Sequence, residues 1–301
     1  MAGGSDIGAP GLQAEFGIPG AVEFKEGRGG LPCAILTHVS GTSAEVYLHG
    51  ANILSWKQAG GNECLYVRPD AKFDKSKPIS GGIPLCWPQF GPGPMQQHGF
   101  ARNLDWSVAS TSADFNPDDR DPEVELSLEE NEYTRAMFPH PFRASYTVTI
   151  HNDVLRAALR VENTGEDAFS FTGALHPYFE VAGIENARVL GLGGLPYLDK
   201  VPNPSNPAQK TQAEGPVPFE GETDRVYLGA PDEVSLDVGT GAAIQIQSRN
   251  WPDCVVWNPW QTMEECYREF CCVENAAAKE AVVLGPGDEW TASAEFTVVN
   301  L

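Results

Sequence analysis

The feature that most constrains this chain is a repeated pattern of short strand-forming segments separated by glycine- and proline-rich turns, with almost no helical periodicity. Tyr146–Ile150 and Leu155–Glu162 flank a His-Asn-Asp turn and predict a β-hairpin. One short helix is predicted, near Met263–Phe270. Many short strands with so little helix indicate an all-β fold, a large antiparallel β-sandwich. The other predicted strands are Ala44–Trp56, Val124–Leu128, Phe169–Thr172, Ala243–Gln247, Cys254–Trp257 and Ala292–Val299.

The domain organisation follows from composition along the chain. Residues 1–20 are rich in Gly, Ala and Pro, which predicts a flexible leader. Residues 21–301 contain no long low-complexity linker, and 42% of the 301 residues are hydrophobic, so we expect a single sandwich domain with a sizeable core. Within it, Ser110–Glu123 and Val201–Gly221 are predicted to be loops because they concentrate Pro, Asp and other turn-forming residues.

Charge excludes several classes of partner. The chain has 41 Asp and Glu against 20 Lys and Arg, a net charge of -21. Such a surface repels nucleic acid and anionic lipid, because binding them requires Lys and Arg to displace counterions. No run of about 18 apolar residues is present, so no membrane span is expected. A small anionic substrate would therefore need a local cluster of cations.

Cysteine usage bears on the compartment. The seven cysteines are scattered, odd in number and without a CxxC pair, which is not a disulfide framework. No secretory signal is recognisable at the N-terminus. Both observations favour reduced thiols in the cytoplasm or the plastid stroma and not a secreted protein. The oligomeric state is not encoded in any pattern, and a monomer is the default expectation.

Metal and nucleotide motifs are missing from the sequence. None of the six histidines lies in an HxH or HExxH arrangement, so no metal site is expected. GxSxG, the P-loop and a strand-to-helix GxGxxG are also missing. We therefore expect no cofactor.

Three segments carry side chains that a purely structural role would not need. Ser80–Arg102 packs Pro, Gly and aromatic residues into a non-repetitive stretch that is either a rigid crossover loop or a binding loop. His176 precedes Pro177, which favours extended backbone and projects the imidazole from a strand end, unless the ring is only bonded to backbone. Glu274 ends an apolar run, where a carboxylate is paired, exposed or functional.

Taken together, these segments resemble one protein family. The motifs, in chain order, are SGGIPLCWPQFGP, QQHGFARNLDW, TGALHPYF, YLDK, VVWNPW and CCVEN. They are similar to the aldose 1-epimerase (mutarotase) superfamily, and most closely to its glucose-6-phosphate 1-epimerase-like branch. The resemblance implies a galactose-mutarotase-like supersandwich with an open sugar cleft. It also implies interconversion of the α and β anomers of a hexose or hexose phosphate without a cofactor.

The resemblance assigns roles to individual residues. It implies that His176 is the general acid and Glu274 the general base. His98 and Arg102, from the HGFAR segment, are expected to contact substrate, and Asp199 is expected to hold sugar hydroxyls. A structural alternative for Arg102 is an ion pair with an acid such as Asp105.

The chemistry of mutarotation suits those groups. A proton leaves the anomeric hydroxyl and another reaches the ring oxygen, after which the ring opens and recloses on its other face. A carboxylate is ionised at pH 7, and an imidazole holds a proton there if a nearby carboxylate raises its pKa. We expect a sugar ring to fit between Glu274 and His176, which would keep them several ångströms apart. Trp87, Phe90 and Trp257 either stack on the sugar or pack in the core.

One position departs from the phosphosugar branch. An Arg that helps to bind phosphate often precedes G-G-I-P there, whereas this chain has Ser80. Arg102 remains, with Arg68 or Lys77 as candidates to share the phosphate, and Gln89 is a further candidate for substrate contact.

The leading functional prediction is therefore a glucose-6-phosphate 1-epimerase whose partner is a small sugar phosphate. One alternative is a mutarotase for unphosphorylated aldoses, which Ser80 favours. Another is a non-catalytic sugar-binding or assembly subunit with the same fold. The presence of both His176 and Glu274 argues against the second alternative.

Overall fold

A computed structural model describes residues 8–114 and 120–301, and the account that follows concerns those residues. They form two α-helices, α1 (Ala9–Phe16) and α2 (Glu132–Met137), and many strands. The first strands are β1 Val22–Glu26, β2 Pro32–Thr37, β3 Ser43–Tyr47, β4 Asn52–Lys57, β5 Leu85–Cys86, β6 Ser107–Ser112, β7 Glu123–Glu129, β8 Phe142–His151, β9 Val154–Asn163 and β10 Phe169–Leu175. The others are β11 Tyr178–Glu180, β12 Arg188–Leu190, β13 Pro196–Asp199, β14 Ala208–Thr211, β15 Val217–Pro218, β16 Thr223–Leu228, β17 Glu233–Asp237, β18 Ala242–Arg249, β19 Asp253–Asn258, β20 Phe270–Leu284 and β21 Glu289–Asn300.

The strands pair antiparallel in three sheets. A four-stranded sheet has the order β1-β2-β3-β4, and a nine-stranded sheet has the order β15-β12-β17-β18-β21-β9-β8-β7-β6. The third sheet has eight strands in the order β14-β13-β16-β19-β20-β10-β5, with β11 also paired to β20. The predicted antiparallel all-β sandwich is confirmed.

Alternation of side chains along the strands explains why these segments form sheets. In β7 every second residue is buried, so one face lies on the core and the other faces outward. The predicted hairpin is present as β8 and β9, joined at Asn152, whose φ of 53° suits a tight turn. A shared core joins the three sheets: the Phe296 ring lies 6.4 Å from Trp56 and 5.7 Å from Phe179, each from a different sheet.

The eight-stranded sheet has one face on this shared core and an opposite face with its own side chains. Val273 belongs to the main core cluster, whereas Cys272 belongs to a smaller cluster with Tyr178 and Phe270. Because strand residues alternate between faces, Glu274 lies on the same face as Cys272. The sheet therefore presents Glu274 on the face turned away from the main core.

Several local predictions are wrong. No α-helix forms near Met263–Phe270, where a 3₁₀ turn at Trp260–Met263 and further turns precede β20. Within the predicted leader, residues 1–7 lie outside the described part, but α1 packs on β1 and buries Leu12, since its apolar side chains find sheet surface to cover.

The loop and strand boundaries also need correction. Ala44–Trp56 is not one strand but the pair β3 and β4, which turns back at Gly50, where φ is 77°. Val201–Gly221 contains the short strands β14 and β15, because they complete the edges of two sheets. Of the predicted loop Ser110–Glu123, residues 115–119 lie outside the described part, and β6 and β7 occupy its ends.

Candidate active site

Glu274 and His176 lie together on the outward face of the eight-stranded sheet. Glu274 is in β20, and His176 directly follows β10, the neighbouring strand. The His176 Nε2 atom is 3.3 Å from Glu274 Oε1, and the two side chains are only 9% and 2% exposed. Among the described residues, Glu274 Oε2 and His176 Nδ1 have no hydrogen-bond partner. A buried acid and base with unused polar atoms are poorly explained by structure alone, because unsatisfied buried groups are costly.

Their separation corrects the expected geometry. A ring inserted between them would require several ångströms, whereas the pair is 3.3 Å apart. The anomeric hydroxyl oxygen and the ring oxygen are bonded to the same carbon, so an acid and a base this close can contact both from one side. The two groups do face one another, as the sequence predicts.

Burial controls the protonation of the pair. It raises the pKa of Glu274 well above its ordinary value, and the nearby Asp224 carboxylate adds to that effect. Burial also lowers the pKa of His176, and Arg102 lowers it further. The expectation that a carboxylate would raise the His176 pKa is therefore wrong in direction, because desolvation of the imidazolium is the larger effect. Both directions favour a state in which the pair holds one proton in total.

Aromatic rings enclose His176. The Tyr178 ring stacks on it at 5.0 Å between centroids, and Trp257 lies edge-on at 5.9 Å. His98 approaches the same ring at 5.6 Å. Of the predicted sugar-stacking aromatics, Trp257 thus lies in the site, whereas Trp87 is fully buried in the main core. These rings restrict the imidazole and exclude water from it.

The loop between β5 and β6 brings His98 to this site. Gly91 N–H donates to His98 Nδ1 at 3.1 Å, so the remaining ring nitrogen of a neutral His98 carries the proton. Burial, then Arg102, lowers the pKa of His98 and keeps the ring neutral. Gly99 allows the close approach: its φ is 72°, and a Cβ there would lie 2.3 Å from the Trp87 carbonyl oxygen. His98 is consequently placed as a hydrogen-bond donor.

Gln89 is used inside this loop. Its amide nitrogen donates to the carbonyls of Gly91 and Gln96, at 3.0 and 3.2 Å, and its oxygen accepts from Met95 N–H at 3.1 Å. The side chain is buried, and these bonds satisfy it. The structure therefore places Gln89 where it shapes the loop that carries His98, a role different from the predicted contact with substrate.

Arg102 has a hydrogen-bond donor that the described residues leave unused. Its Nη2 donates to the Gln97 carbonyl at 2.8 Å, while its buried Nε has no partner among the described residues. The structural alternative, a pair with Asp105, is not observed, because that carboxylate binds His49 and Lys75. Arg102 also acts electrostatically on His98, as noted above, so it borders the acid–base site.

Arg68 is near enough to Tyr178 and Cys272 to act on both electrostatically. Its guanidinium makes two bonds to Asp70, at 2.9 and 2.7 Å, and it lines a cavity of about 480 Å³. The backbone N–H of Arg68 donates to the Ser80 carbonyl at 3.1 Å, beside the isolated bridge between Val67 and Gly81, so Arg68 neighbours the position where the related branch has arginine. Lys77 is exposed on the same connection.

Asp199 is not brought to the acid–base pair. The register pairs Asp199 with Arg225 and Arg225 with Val256, whereas Glu274 pairs with Val255. A shift of one residue changes the face of a sheet, so Asp199 faces the opposite way from Glu274. Its carboxylate instead accepts from Lys210 at 2.6 Å.

Two residues that sequence reasoning missed occupy the place expected for Asp199. Lys200 Nζ lies 5.5 Å from the Phe90 ring centroid, and that ring lies 5.2 Å from His98. Asp224 pairs in register with Trp257, on the face of Glu274. The sequence signal that could have identified Lys200 was the alternation of side chains along a strand. In the YLDK motif, Lys200 follows Asp199 and therefore faces the opposite side of the sheet.

Two further features, a metal site and a membrane span, concern residues 8–114 and 120–301. In them, no cluster of three or more His, Cys, Asp or Glu side chains is arranged to hold a metal ion. No helix in these ranges has the length and apolar character needed to cross a membrane.

Comparison with known proteins shows the family of this chain. The sequence model of the aldose 1-epimerase family matches residues 32–297. The chain belongs to the aldose 1-epimerase family. A relative from Cenchrus ciliaris, named "Putative glucose-6-phosphate 1-epimerase", is 36% identical over 276 residues, which are 87% of this chain and 83% of the relative.

Solved structures support the same fold. A Salmonella typhimurium structure described as a "putative mutarotase" superposes with a TM-score of 0.83 at 28% identity, over 93% of this chain and 94% of that one. A galactose mutarotase-like protein from Clostridium acetobutylicum gives a TM-score of 0.77 at 16% identity, over 93% and 98% of the two chains, and shows the fold alone. The galactose-mutarotase-like sandwich is thus confirmed.

Proposed function

We propose that this chain interconverts the α and β anomers of a hexose 6-phosphate, glucose 6-phosphate in the first place, without a cofactor. The observation that carries the proposal is the buried pair of His176 and Glu274, 3.3 Å apart and with unused polar atoms. Family membership supports the chemistry, and the names of the relatives support the phosphorylated substrate.

The mechanism uses the one proton that the pair holds. One member accepts the proton of the anomeric hydroxyl while the other donates to the ring oxygen, and the open aldehyde rotates before the ring recloses. Microscopic reversibility lets the same pair exchange roles for the other anomer. His98 Nε2–H donates to a sugar oxygen, since its other nitrogen accepts from Gly91. Tyr178 and Trp257 keep bulk water away from the proton transfers.

Arg102 is the proposed centre of phosphate binding. Its unpartnered Nε and its position beside His98 support this role, because a guanidinium can bind phosphate through two parallel hydrogen bonds. Arg68 is the proposed second phosphate ligand, with the phosphate displacing the exposed Asp70 from its guanidinium. A cationic pair of this kind offsets the general repulsion that a net charge of -21 exerts on a phosphosugar.

An anomer-exchange measurement tests the proposal. Two-dimensional exchange NMR would follow α/β interconversion of glucose 6-phosphate, glucose and galactose at equal protein concentration. We expect catalysed exchange that is fastest for glucose 6-phosphate, and a loss of about 10²–10⁴-fold in both His176→Ala and Glu274→Ala with little change in folding. Near-normal exchange in both variants would refute the acid–base assignment.

A mutarotase for unphosphorylated aldoses is the second candidate. The observation that favours it is Ser80, together with the two bonds that hold Arg68 on Asp70. Equal exchange rates for glucose and glucose 6-phosphate in the same NMR measurement would select it.

The proposed setting is a reducing compartment, the cytoplasm or the plastid stroma. All seven cysteines are unpaired and buried, which is typical of reduced thiols. A monomer is proposed for the functional unit, and sedimentation analysis of the purified chain tests it.

A further inference from the structure

A second cavity, of about 370 Å³, lies where segments from all three sheets meet, and its described lining shares no residue with the acid–base site. Strand β11 ends at this cavity. Glu180 N–H donates to the Cys64 carbonyl, in the connection after β4, at 3.0 Å, and Ala182 N–H donates to the carbonyl of Val238, directly after β17, at 2.9 Å. The opening is therefore framed by backbone bonds between the sheets.

The interior of this cavity is apolar. Val181 and Ile244 belong to the main core cluster, and Val238 and Val298 pack against that cluster. Water in such a space finds few polar partners, whereas an apolar group of suitable size loses nothing by entering it. The apolar residues that line the cavity are Val181, Ala182, Val238, Ala242, Ala243, Ile244 and Val298.

The charge at this cavity is negative. Glu63 and Glu180 are the charged residues of its described lining, which includes no Lys or Arg. The Glu63 carboxylate is already held by three backbone N–H groups at 2.8, 3.1 and 3.0 Å. The Glu180 side chain is exposed, and burial, then Glu63 and Glu269, raise its pKa, so the charges that act on it there are other carboxylates. A cation at this position would offset that repulsion.

Glu63 and Glu180 also line an adjoining cavity of about 530 Å³. Its lining includes four carboxylates and three cations, so its net charge is negative as well. An ammonium group at the two shared carboxylates would face this polar space, where its remaining donors can bind water or protein oxygen atoms. The charged residues of the adjoining cavity are Glu26, Glu45, Glu63, Glu180, Lys25, Arg28 and Lys57.

The two properties together select one class of ligand. A carboxylate or a phosphate would be repelled by Glu63 and Glu180, and a purely apolar molecule would leave the charge of Glu180 without a partner. A net charge of -21 also attracts small cations to the surface. We propose that this cavity binds a small organic ammonium ion, with its apolar body between the sheets and its charged end at Glu180 and Glu63. The inference does not depend on the proposed function.

Three probes of nearly the same shape and different charge test it. Cyclohexylmethylamine is protonated at neutral pH, as a lysine side chain is. Cyclohexylmethanol is its neutral counterpart, and cyclohexanecarboxylate is the anionic one. Each probe is titrated into the full chain at pH 7, and the backbone amide shifts are followed by NMR to obtain both the location and the Kd.

We expect cyclohexylmethylamine to bind with a Kd on the order of 1 mM, because so small a ligand has few atoms to contribute. It should bind at least about threefold more tightly than the alcohol, and the carboxylate should not bind detectably. The largest shifts should lie at the amides that frame the cavity, those of Cys64, Val181, Ala182 and Ile244.

Two matched variants separate a contact at the cavity from the general charge of the surface. Glu180→Gln should weaken binding of the amine about 3–10-fold and leave binding of the alcohol unchanged, since only the charged contact is lost. Glu185→Gln removes another exposed carboxylate of the same connection, outside the lining of the cavity, and should bind all three probes as wild type does. Both variants should retain the wild-type melting temperature.

Each other outcome overturns the inference. Equal affinity for the amine and the alcohol would do so, as would equal weakening in Glu180→Gln and Glu185→Gln. Shifts centred on Tyr178 and the Trp257 indole would place the amine at the acid–base site instead, and undetectable binding of the amine would remove the site altogether. Exchange of glucose 6-phosphate anomers is measured in the same samples. It should be unaltered in Glu180→Gln, so a failure of the proposed function would be recognised separately.

Discussion

Replacement of Glu274 by Gln should make the protein inactive and more stable at neutral pH. Glu274 is 2% exposed, one of its oxygens lacks a partner among the described residues, and burial together with Asp224 raises its pKa well above the ordinary value of 4.5. The folded protein therefore retains a proton that the unfolded chain releases as the pH rises above 4.5. Stability contributed by this group is greatest at low pH and declines as the pH rises towards the pKa of the folded state.

The size of the effect follows from proton linkage. One proton retained only in the folded state lowers the free energy of unfolding by about 1.36 kcal/mol for each pH unit. Between pH 4.5 and 7.5 the upper limit is about 4 kcal/mol, three units at that slope. Gln keeps the shape and carries no titratable proton, so Glu274→Gln should be more stable than wild type by about 1–4 kcal/mol at pH 7.5. At about 2 °C per kcal/mol, its melting temperature should rise by roughly 2–8 °C.

Paired thermal and chemical denaturation at pH 4.5 and pH 7.5 measures this difference. We expect Glu274→Gln and wild type to be nearly equal at the lower pH and to diverge at the higher one. Glu23→Gln, on the exposed side of β1, is the matched control and should show no pH-dependent gain. If Glu274→Gln were equal to or less stable than wild type at pH 7.5, the carboxylate would be well satisfied when ionised, and the argument for a buried proton-holding pair would fail.

Three further predictions follow from the site. Arg102→Met should raise KM for glucose 6-phosphate at least about 10-fold, with little change in kcat or in the kinetics on glucose, because only binding of the anion is lost; equal losses on both sugars in steady-state NMR assays would refute it. The pH profile should be measured with glucose, which has no phosphate to titrate. Its kcat/KM should decline in acid only below the ordinary imidazole pKa of 6.5, because the pKa of His176 is lowered to about 3, and in alkali only well above 4.5, because the pKa of Glu274 is raised. A single decline in acid with a midpoint near 6.5 would contradict the shared-proton state. Gly99→Ala should lower the melting temperature and displace His98, because the new Cβ would meet the Trp87 carbonyl at 2.3 Å with φ at 72°; an unchanged melting temperature and normal turnover would argue against that strain.

The local sequence pattern was sufficient to predict much of the fold of this protein. Period-two alternation and turn residues predicted the β8–β9 hairpin and the all-β class, because those signals depend only on neighbours along the chain. The motifs around His176 and Glu274 predicted the residues that we propose as acid and base, since each is anchored to a strand whose apolar residues are recognisable. Isolated helical turns were harder to predict. Residues 263–270 have a composition compatible with a helix, but they form turns because β20 begins at Phe270.

Only the tertiary structure decided how these residues meet. The pKa directions of the pair depend on burial by rings from several strands, which no segment reveals alone. Lys200 and Asp224, and not Asp199, lie on the face of Glu274. This depends on the register across four strands, because an offset of one residue moves a side chain to the other face of the sheet. The sequence by itself therefore determined the fold class and predicted the two residues that we propose as acid and base, because both depend on local alternation and motif. Which other side chains reach the site was decided by the tertiary structure, because strand pairing sets the face of Lys200 and Asp224 and hydrogen bonds within the loop between β5 and β6 place His98.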